Sequence, residues 1–341
     1  MATSAPHILV HEYISGGGWP EPELPNGLVA EGLAMLRAVL MDFRAWGGAQ
    51  ITTTLDYRLA NVSLSADHVI VLAPQDHLAV LGKLAEQCTA ALIIAPESDG
   101  ILASLSTLMV TNGVRLLGSN PSSVATAADK WACHRLFSQA GLPTPGTCCV
   151  DVNGAQKAAE KNGFPIVIKP VDGVGCEGVS LISDTLSLQS FLEKSRYFGT
   201  RFLIQRYIEG THASACLLVV GKDNLCLSIN RQLIEVGMPF SYQGSELPFT
   251  GNKHQEAIEL AKRAATLIPG LKGYIGVDLL ITNEGCYLIE INPRLTTSYI
   301  GLRSVVNINL AKAIWEASIQ DILPQKAALS GRVAFRKENL I

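Results

Sequence analysis

Several features that would settle the class of this 341-residue chain at once are missing from it. Although 48% of its residues are apolar, no uninterrupted apolar stretch approaches the ~18 residues that a membrane span requires. The apolar excess therefore belongs to a core. Residues 1–13 lack the basic start and continuous apolar segment of a secretory signal and pass directly into a strand-like run. The eight cysteines are scattered, with no C-x-x-C pair and no histidine at zinc-finger spacing, which reads as reduced thiols in a cytoplasmic protein. Neither sign of charge is in excess: 27 basic against 30 acidic residues leave a net −3, with no electrostatic footing for nucleic acid or an acidic membrane surface. Internal repeats and low-complexity segments are absent as well. A chain of this length and composition is expected to form two or three domains and to act on a small metabolite.

The first third alternates short β-type runs (7–10, 49–53, 69–73, 91–95) with helix-compatible stretches (27–46, 76–87). That alternation is the pattern of an α/β, Rossmann-like domain, a parallel sheet with helices on both faces. Ligands of such sheets bind at the loops after the strands' carboxyl ends, so Glu12, Gly16 to Gly18, Gln75 and Glu97 are substrate-loop candidates. Ordinary turn and capping roles are the plain alternative for each. The glycine run follows the first strand as a dinucleotide loop would, but it lacks G-x-G-x-x-G spacing and leads into Pro20, Pro22 and Pro25, which argues against a nicotinamide site.

A turn at 118–122 marks the first boundary, and 123–140 then reads as one helix closed by Gly141, Pro143 and Pro145. The expected organisation is 1–120, 121–203, 204–325 and a tail, 326–341. Within it lie a glycine-rich loop after a β-run (165–182), a helix (185–194), strands near 202–207, 215–220 and 225–230, a polar stretch (237–252), a helix (254–267), a hairpin, and a last helix (308–319).

The hairpin 274–292 carries the most chemistry. Ile275, Val277, Leu279 and Ile281 alternate on its first strand and Tyr287, Ile289 and Ile291 on its second, so the odd positions are expected to face a core. Asp278, Glu290 and Asn292 then share the other face. If 283–285 form a three-residue loop, Asp278 opposes Glu290 with β-carbons about 4.5–5.5 Å apart. Like charges so placed repel unless neutralised, and a divalent cation with oxygen ligands, Mg²⁺ above all, meets that need with Asn292 as a further oxygen donor. A solvent-facing polar strand is the alternative.

Upstream, Lys169 ends an apolar β-run, and Gly173, Gly175 and Gly178 follow it. A lysine point charge beside a flexible, amide-lined loop suits a nucleotide's phosphates, although no G-K-[ST] closes a Walker loop here. The strand that starts at Phe202 offers backbone groups to an adenine at its end, or is a plain core strand. Lys130 could reach a phosphate from its helix or stand as a solvated lysine.

Taken in order, these pieces resemble the ATP-grasp superfamily of carboxylate–amine ligases over about residues 118–303, with a pre-ATP-grasp domain before them. The resemblance implies an ATP-grasp fold whose small lobe is 121–203 and whose large lobe, with the metal site, is 204–325. It implies ATP as cosubstrate with Mg²⁺, or Mn²⁺, as metal. Lys130 and Lys169 match the phosphate-binding lysines, 172–180 the flap, and Gln205, Arg206, Tyr207 and Ile208 the adenine hinge. Asp278, Glu290 and Asn292 match the metal ligands and Arg294 the arginine at the transferred phosphate. The chain departs from the pattern at Gln205, usually glutamate, and at His212, where the ribose-binding glutamate falls; Glu209 is a possible substitute. Residues 8–18 (ILVHEYISGGG), 95–102 (APESDGIL) and 291–303 (INPRLTTSYIGLR) are most similar to the tyramine–glutamate ligases of methanofuran biosynthesis.

That resemblance implies an amide formed through an acyl phosphate from glutamate and tyramine or a related amine, with ADP and phosphate released. A dipeptide ligase and a catalytically silent ATP-binding module are the alternatives. Arg231 and Arg303 are candidates to clamp a substrate carboxylate, because a guanidinium binds it bidentately, and 241–248 is a candidate loop over the amine. A homodimer is the default assembly.

Overall fold

The computed structural model describes residues 5–194 and 201–340; residues 1–4, on which part of the leader reading rests, lie outside the described residues. Strands β1 (His7–Glu12), β2 (Gln50–Asp56), β3 (His68–Leu72), β4 (Ala90–Ile94) and β5 (Arg115–Leu116) form one parallel sheet in the order β3-β2-β1-β4-β5. Side chains alternate across it. Ile8 and Val10 pack with Leu36 and Leu40 of α1 (Asn26–Trp46), while Leu9 points the other way to Leu81 of α2 (His77–Ala85) and Leu105 of α3 (Ile101–Thr111).

The single helix expected over 123–140 is two helices. The backbone turns extended at Asp129, whose carboxylate accepts from the Trp131 and Ala132 amides at 2.9 Å. This N-cap ends α4 (Pro121–Ala128) and starts α5 (Lys130–Gln139), which places Lys130 at a helix start.

Strands β6 (Thr147–Val150), β7 (Ile166–Pro170), β8 (Ser180–Ile182) and β9 (Phe202–Arg206) form an antiparallel sheet ordered β6-β9-β7-β8. It keeps its own core, with Ile166, Ile168, Phe202 and Ile204 against Ala155 and Ala159 of α6 (Ala155–Asn162) and Leu188 of α7 (Thr185–Lys194).

The third sheet is antiparallel and six-stranded. It comprises β10 (Thr211–Val220), β11 (Asp223–Glu235), β12 (Ser241–Leu247), β13 (Gly273–Ile281), β14 (Cys286–Asn292) and β15 (Val333–Arg336), ordered β14-β13-β10-β11-β12-β15. Helices α5 and α8 (His254–Ala265) cover one face. Helices α9 (Ser298–Val305) and α10 (Leu310–Trp315) cover part of the other, in a core continuous with α1 of the first sheet. The expected loop 241–248 is therefore corrected: its residues form β12, hydrogen-bonded between β11 and β15.

The hairpin keeps the expected pairing of Asp278 with Glu290 by a different route. Ile281 pairs with Cys286, so the connection spans four residues, and a bulge at Ile289 restores the Asp278–Glu290 register. On the second strand, Cys286, Leu288 and Ile291 therefore enter the core. Tyr287 and Ile289, expected there, do not, and Ile289 lines the cleft instead.

Candidate active site

A cleft lies between the four-stranded and six-stranded sheets, and nearly all residues expected to bind a nucleotide line it. They are Lys130, Lys169, Gly173, Gly175, Gln205, Arg206, Tyr207, Ile208, His212, Asp278, Glu290, Asn292 and Arg294; Gly178 lies in the same loop but off the wall.

At its centre Asp278 and Glu290 face each other across β13 and β14. Asp278 accepts from Asn292 Nδ2 at 3.2 Å and Gln232 Nε2 at 3.1 Å, and Glu290 Oε2 meets Lys130 Nζ at 2.7 Å. Burial, reinforced by the Glu290 charge, pushes the Asp278 carboxyl up to about 8. Burial acts on Glu290 in the same direction, but Lys130 and Lys169 outweigh it and hold this carboxyl below its usual range. Lys130 is raised, because Glu290 overcomes the effect of burial. Lys169 is pushed down to about 8 by burial, with the Lys130 charge adding to it and Glu290 opposing.

These residues fit a small, hard cation. Two carboxylates and the Asn292 amide supply oxygen donors, and a 2+ charge would relieve the repulsion that now raises Asp278. Among the described residues no group of three or more His, Cys, Asp or Glu side chains is placed to hold a metal, so the cation would draw its remaining ligands from elsewhere. Phosphate oxygens and water are the donors Mg²⁺ prefers.

The glycine-rich loop is tied down at its start. Lys130 donates from Nζ to the Gly173 carbonyl at 2.9 Å and from its amide to Val171 at 2.9 Å, and Asp172 Oδ2 accepts from the Asp99 amide at 3.0 Å. Gly175 and Gly178 adopt φ of +62° and +70°, where a side chain is disfavoured. Cys176 shares that conformation at +69°, and burial pushes its thiol up to about 12, which makes it an inert filler.

On the opposite wall, buried Gln205 donates from Nε2 to Thr147 Oγ1 at 2.8 Å, fixing the end of β9 to β6. The Arg206 and Tyr207 amides bond to Gly146 and Pro165, which leaves the Ile208 amide as the donor this segment offers to the cleft. His212 packs edge-on to Phe240, and burial lowers its pKa, so it is neutral near pH 7.

The substrate candidates fare less well. Glu12 is corrected to a buried cap: its carboxylate accepts from the Ile14 amide, the Ser15 amide and Ser15 Oγ at 3.2, 2.7 and 2.6 Å. Glu97 also lies behind the cleft wall, where Oε2 sits 2.9 Å from Arg294 Nη2, an ionic contact not aimed along an N–H bond. It positions Arg294, whose Nη1 donates to the Leu295 carbonyl at 3.0 Å. Arg303 is no clamp, because Nε and Nη2 both donate to Asp42 Oδ1 at 2.9 and 2.7 Å while Tyr299 donates to Oδ2 at 2.7 Å. Arg231 shares a sheet face with Ala213 and Leu279, opposite Asp278, and meets Glu246 at 3.4 Å in the open. The neighbouring Gln232 reaches the site instead. Glu31, Gln232, Tyr242 and Thr296 to Ser298 line the cleft without having been expected there. Only the Thr-Thr-Ser run directly after Arg294 carried a local signal.

Comparison with known proteins agrees with this geometry. Residues 127–298, half of the chain, match the ATP-grasp domain family, and 49–124 match the pre-ATP-grasp 3 domain. The tyramine–L-glutamate ligase of Methanocaldococcus jannaschii is 31% identical over 227 residues, which cover 66% of this chain but only 61% of that relative. That of Methanocaldococcus fervens is 28% identical over 302 residues, 87% of this chain and 89% of the relative. Among solved structures, an ATP-grasp superfamily protein from Archaeoglobus fulgidus superposes with a TM-score of 0.68 at 23% identity, covering 97% of this chain and 98% of that one. The cleft between two antiparallel sheets, its paired carboxylates and the matched segment together mean that this chain belongs to the ATP-grasp family.

Proposed function

We propose that the protein is an ATP-dependent carboxylate–amine ligase that forms an amide through an acyl phosphate, releasing ADP and phosphate, with glutamate as the acid and tyramine or a related amine as the nucleophile. The observation that carries this reading is the convergence of Asp278, Glu290, Lys130, Lys169 and Arg294 on one cleft. The names of the two relatives support the choice of substrates.

A carboxylate does not acylate an amine in neutral water, because its oxide is a poor leaving group and its charge shields the carbon. Phosphorylation by ATP removes both obstacles. Lys130 and Lys169 neutralise phosphate charge, and the Ile208 amide receives the adenine edge. Asp278, Glu290 and Asn292 would hold Mg²⁺, or Mn²⁺, which when bound offsets the charge of the β- and γ-phosphates. Arg294, oriented by Glu97, stabilises the transferring phosphoryl group and the oxyanion formed on amine attack. Ordering of the 172–180 loop over the site keeps water from the acyl phosphate.

The division at about 120, 203 and 325 is proposed on the same footing, with 1–120 helping to bind substrates. Among the described residues no helix is long and apolar enough to cross a membrane. A cytoplasmic setting follows from the scattered cysteines, and a homodimer from the frequency of two-fold assemblies.

The test is to incubate the protein with Mg²⁺, ATP and paired pools of amino acids and amines and to identify the products. ADP, phosphate and glutamyl-tyramine are expected. Tight ATP binding without turnover of any pair would make it a silent module, and release with alanine pairs alone would make it a dipeptide ligase.

A further inference from the structure

Phosphate, metal and hinge residues leave one charged group in the cleft without a task. Glu31, in the second turn of α1, lines the cleft with Gln232, Tyr242 and Thr297, its side chain only 15% exposed. Lys337, in the turn after β15, pairs with Oε1, and Thr297 Oγ1 approaches Oε2 at 3.4 Å. A carboxylate has about four acceptor sites, so Oε2, with a single long contact, keeps capacity toward the cleft. Tyr242 lies within reach of the charge of both Glu31 and Asp278, and its hydroxyl is held by Ser245 Oγ at 2.8 Å. Glu31 therefore shares a wall with the metal carboxylates while belonging to the first domain's helix.

We propose that Glu31 seats the α-ammonium group of the acid substrate, so that the enzyme takes an amino acid and discriminates against a plain carboxylic acid. This rests on the ligase reading. The sign of the charge excludes phosphate and carboxylate as its partner. A nucleophilic amine must be neutral to attack, and a carboxylate that stabilises an ammonium opposes that, so the non-reacting ammonium of the acid suits the position better than the amine substrate.

The test compares glutamate with glutarate, which lacks only the ammonium group, each with saturating tyramine and Mg²⁺-ATP. Wild-type protein is expected to prefer glutamate. Glu31→Gln should raise the KM for glutamate about tenfold or more, leave the KM for ATP and tyramine within about twofold, and erase most of the preference over glutarate. Glu31→Asp should restore part of it. Lys337→Met, which removes the neighbouring cation and leaves the carboxylate, should keep the preference; if it reproduces the Glu31→Gln effect, the ion pair and not the ammonium is responsible, and the proposal falls. A preserved preference in Glu31→Gln would also overturn it, as would a raised KM for tyramine alone. Unchanged ADP affinity shows that each variant is folded.

If wild-type protein turns over no pair, the ligase reading fails while the seat is still tested by binding. With Mg²⁺-ADP present, an amino acid from a pool of the common twenty should raise the melting temperature of wild-type protein but not of Glu31→Gln. No such shift with any amino acid would overturn the seat as well.

Discussion

Replacing Asp278 by asparagine should stabilise the metal-free protein while abolishing its function, and the gain should grow with pH. In the folded chain this carboxyl sits at about 8 against 3.8 when unperturbed, through burial and then Glu290. A carboxyl whose folded pKa is raised favours folding below its unfolded value and loses that contribution progressively until pH reaches the folded value. Each pH unit is worth about 1.4 kcal/mol, so the span from pH 5 to 7.5 carries at most about 3.4 kcal/mol. Asp278 keeps partial access to the cleft, which lowers the effective figure to about 1–2 kcal/mol. His11, His77, His134 and His212, all lowered by burial, titrate in the opposite sense below their unperturbed 6.5. They are common to both proteins and cancel in the difference. Urea unfolding of wild-type and Asp278→Asn protein in chelator, at pH 5 and 7.5, reads the quantity directly. The variant's advantage should be larger at pH 7.5 by about 1–2 kcal/mol, and saturating Mg²⁺-ADP should reverse the order. A difference that stays flat across this range would refute the claim that Asp278 and Glu290 repel each other in a poorly solvated site.

Two further outcomes follow. Lys169, lowered to about 8, loses its charge above that pH in the free protein, so kcat/KM for ATP should fall about tenfold per unit on the alkaline side. Lys169→Arg should carry the fall to higher pH, and an unmoved limb would assign it to another group. Arg303→Met strands Asp42 beside Tyr299 and should cost about 2–3 kcal/mol in urea unfolding while leaving substrate KM values unchanged; a selective rise in the KM for the acid would restore its role as a clamp.

Much of this site was legible in the sequence because its residues come in short local patterns. The Asp278–Glu290 pairing follows from strand alternation, yet the bulge at Ile289 reverses part of the second strand's parity, and a bulge leaves no composition signal in an apolar run. The break before Lys130 had one, an aspartate at the helix start, hidden by the helix-compatible residues on either side. Strand β12 reads as polar because it carries Gly244 and cleft-facing Tyr242, and only its pairing with β11 and β15 makes it a strand. Glu31 was out of reach for a different reason: nothing near it in sequence differs from an ordinary helix, and the packing of α1 against the large sheet's helices alone brings it to the cleft. Arg231 and Arg303 show the reverse error, side chains suited to a carboxylate that find one within the protein.

The central claim, carboxylate activation by phosphoryl transfer, is tested most directly by oxygen tracing. With glutamate labelled with ¹⁸O in its carboxylates, Mg²⁺-ATP and tyramine, one labelled oxygen should appear in inorganic phosphate for each amide formed. In Glu290→Gln, transfer and amide formation should both fall by orders of magnitude. Unlabelled phosphate from a reaction that still makes amide, or label found in AMP with pyrophosphate released, would contradict the account.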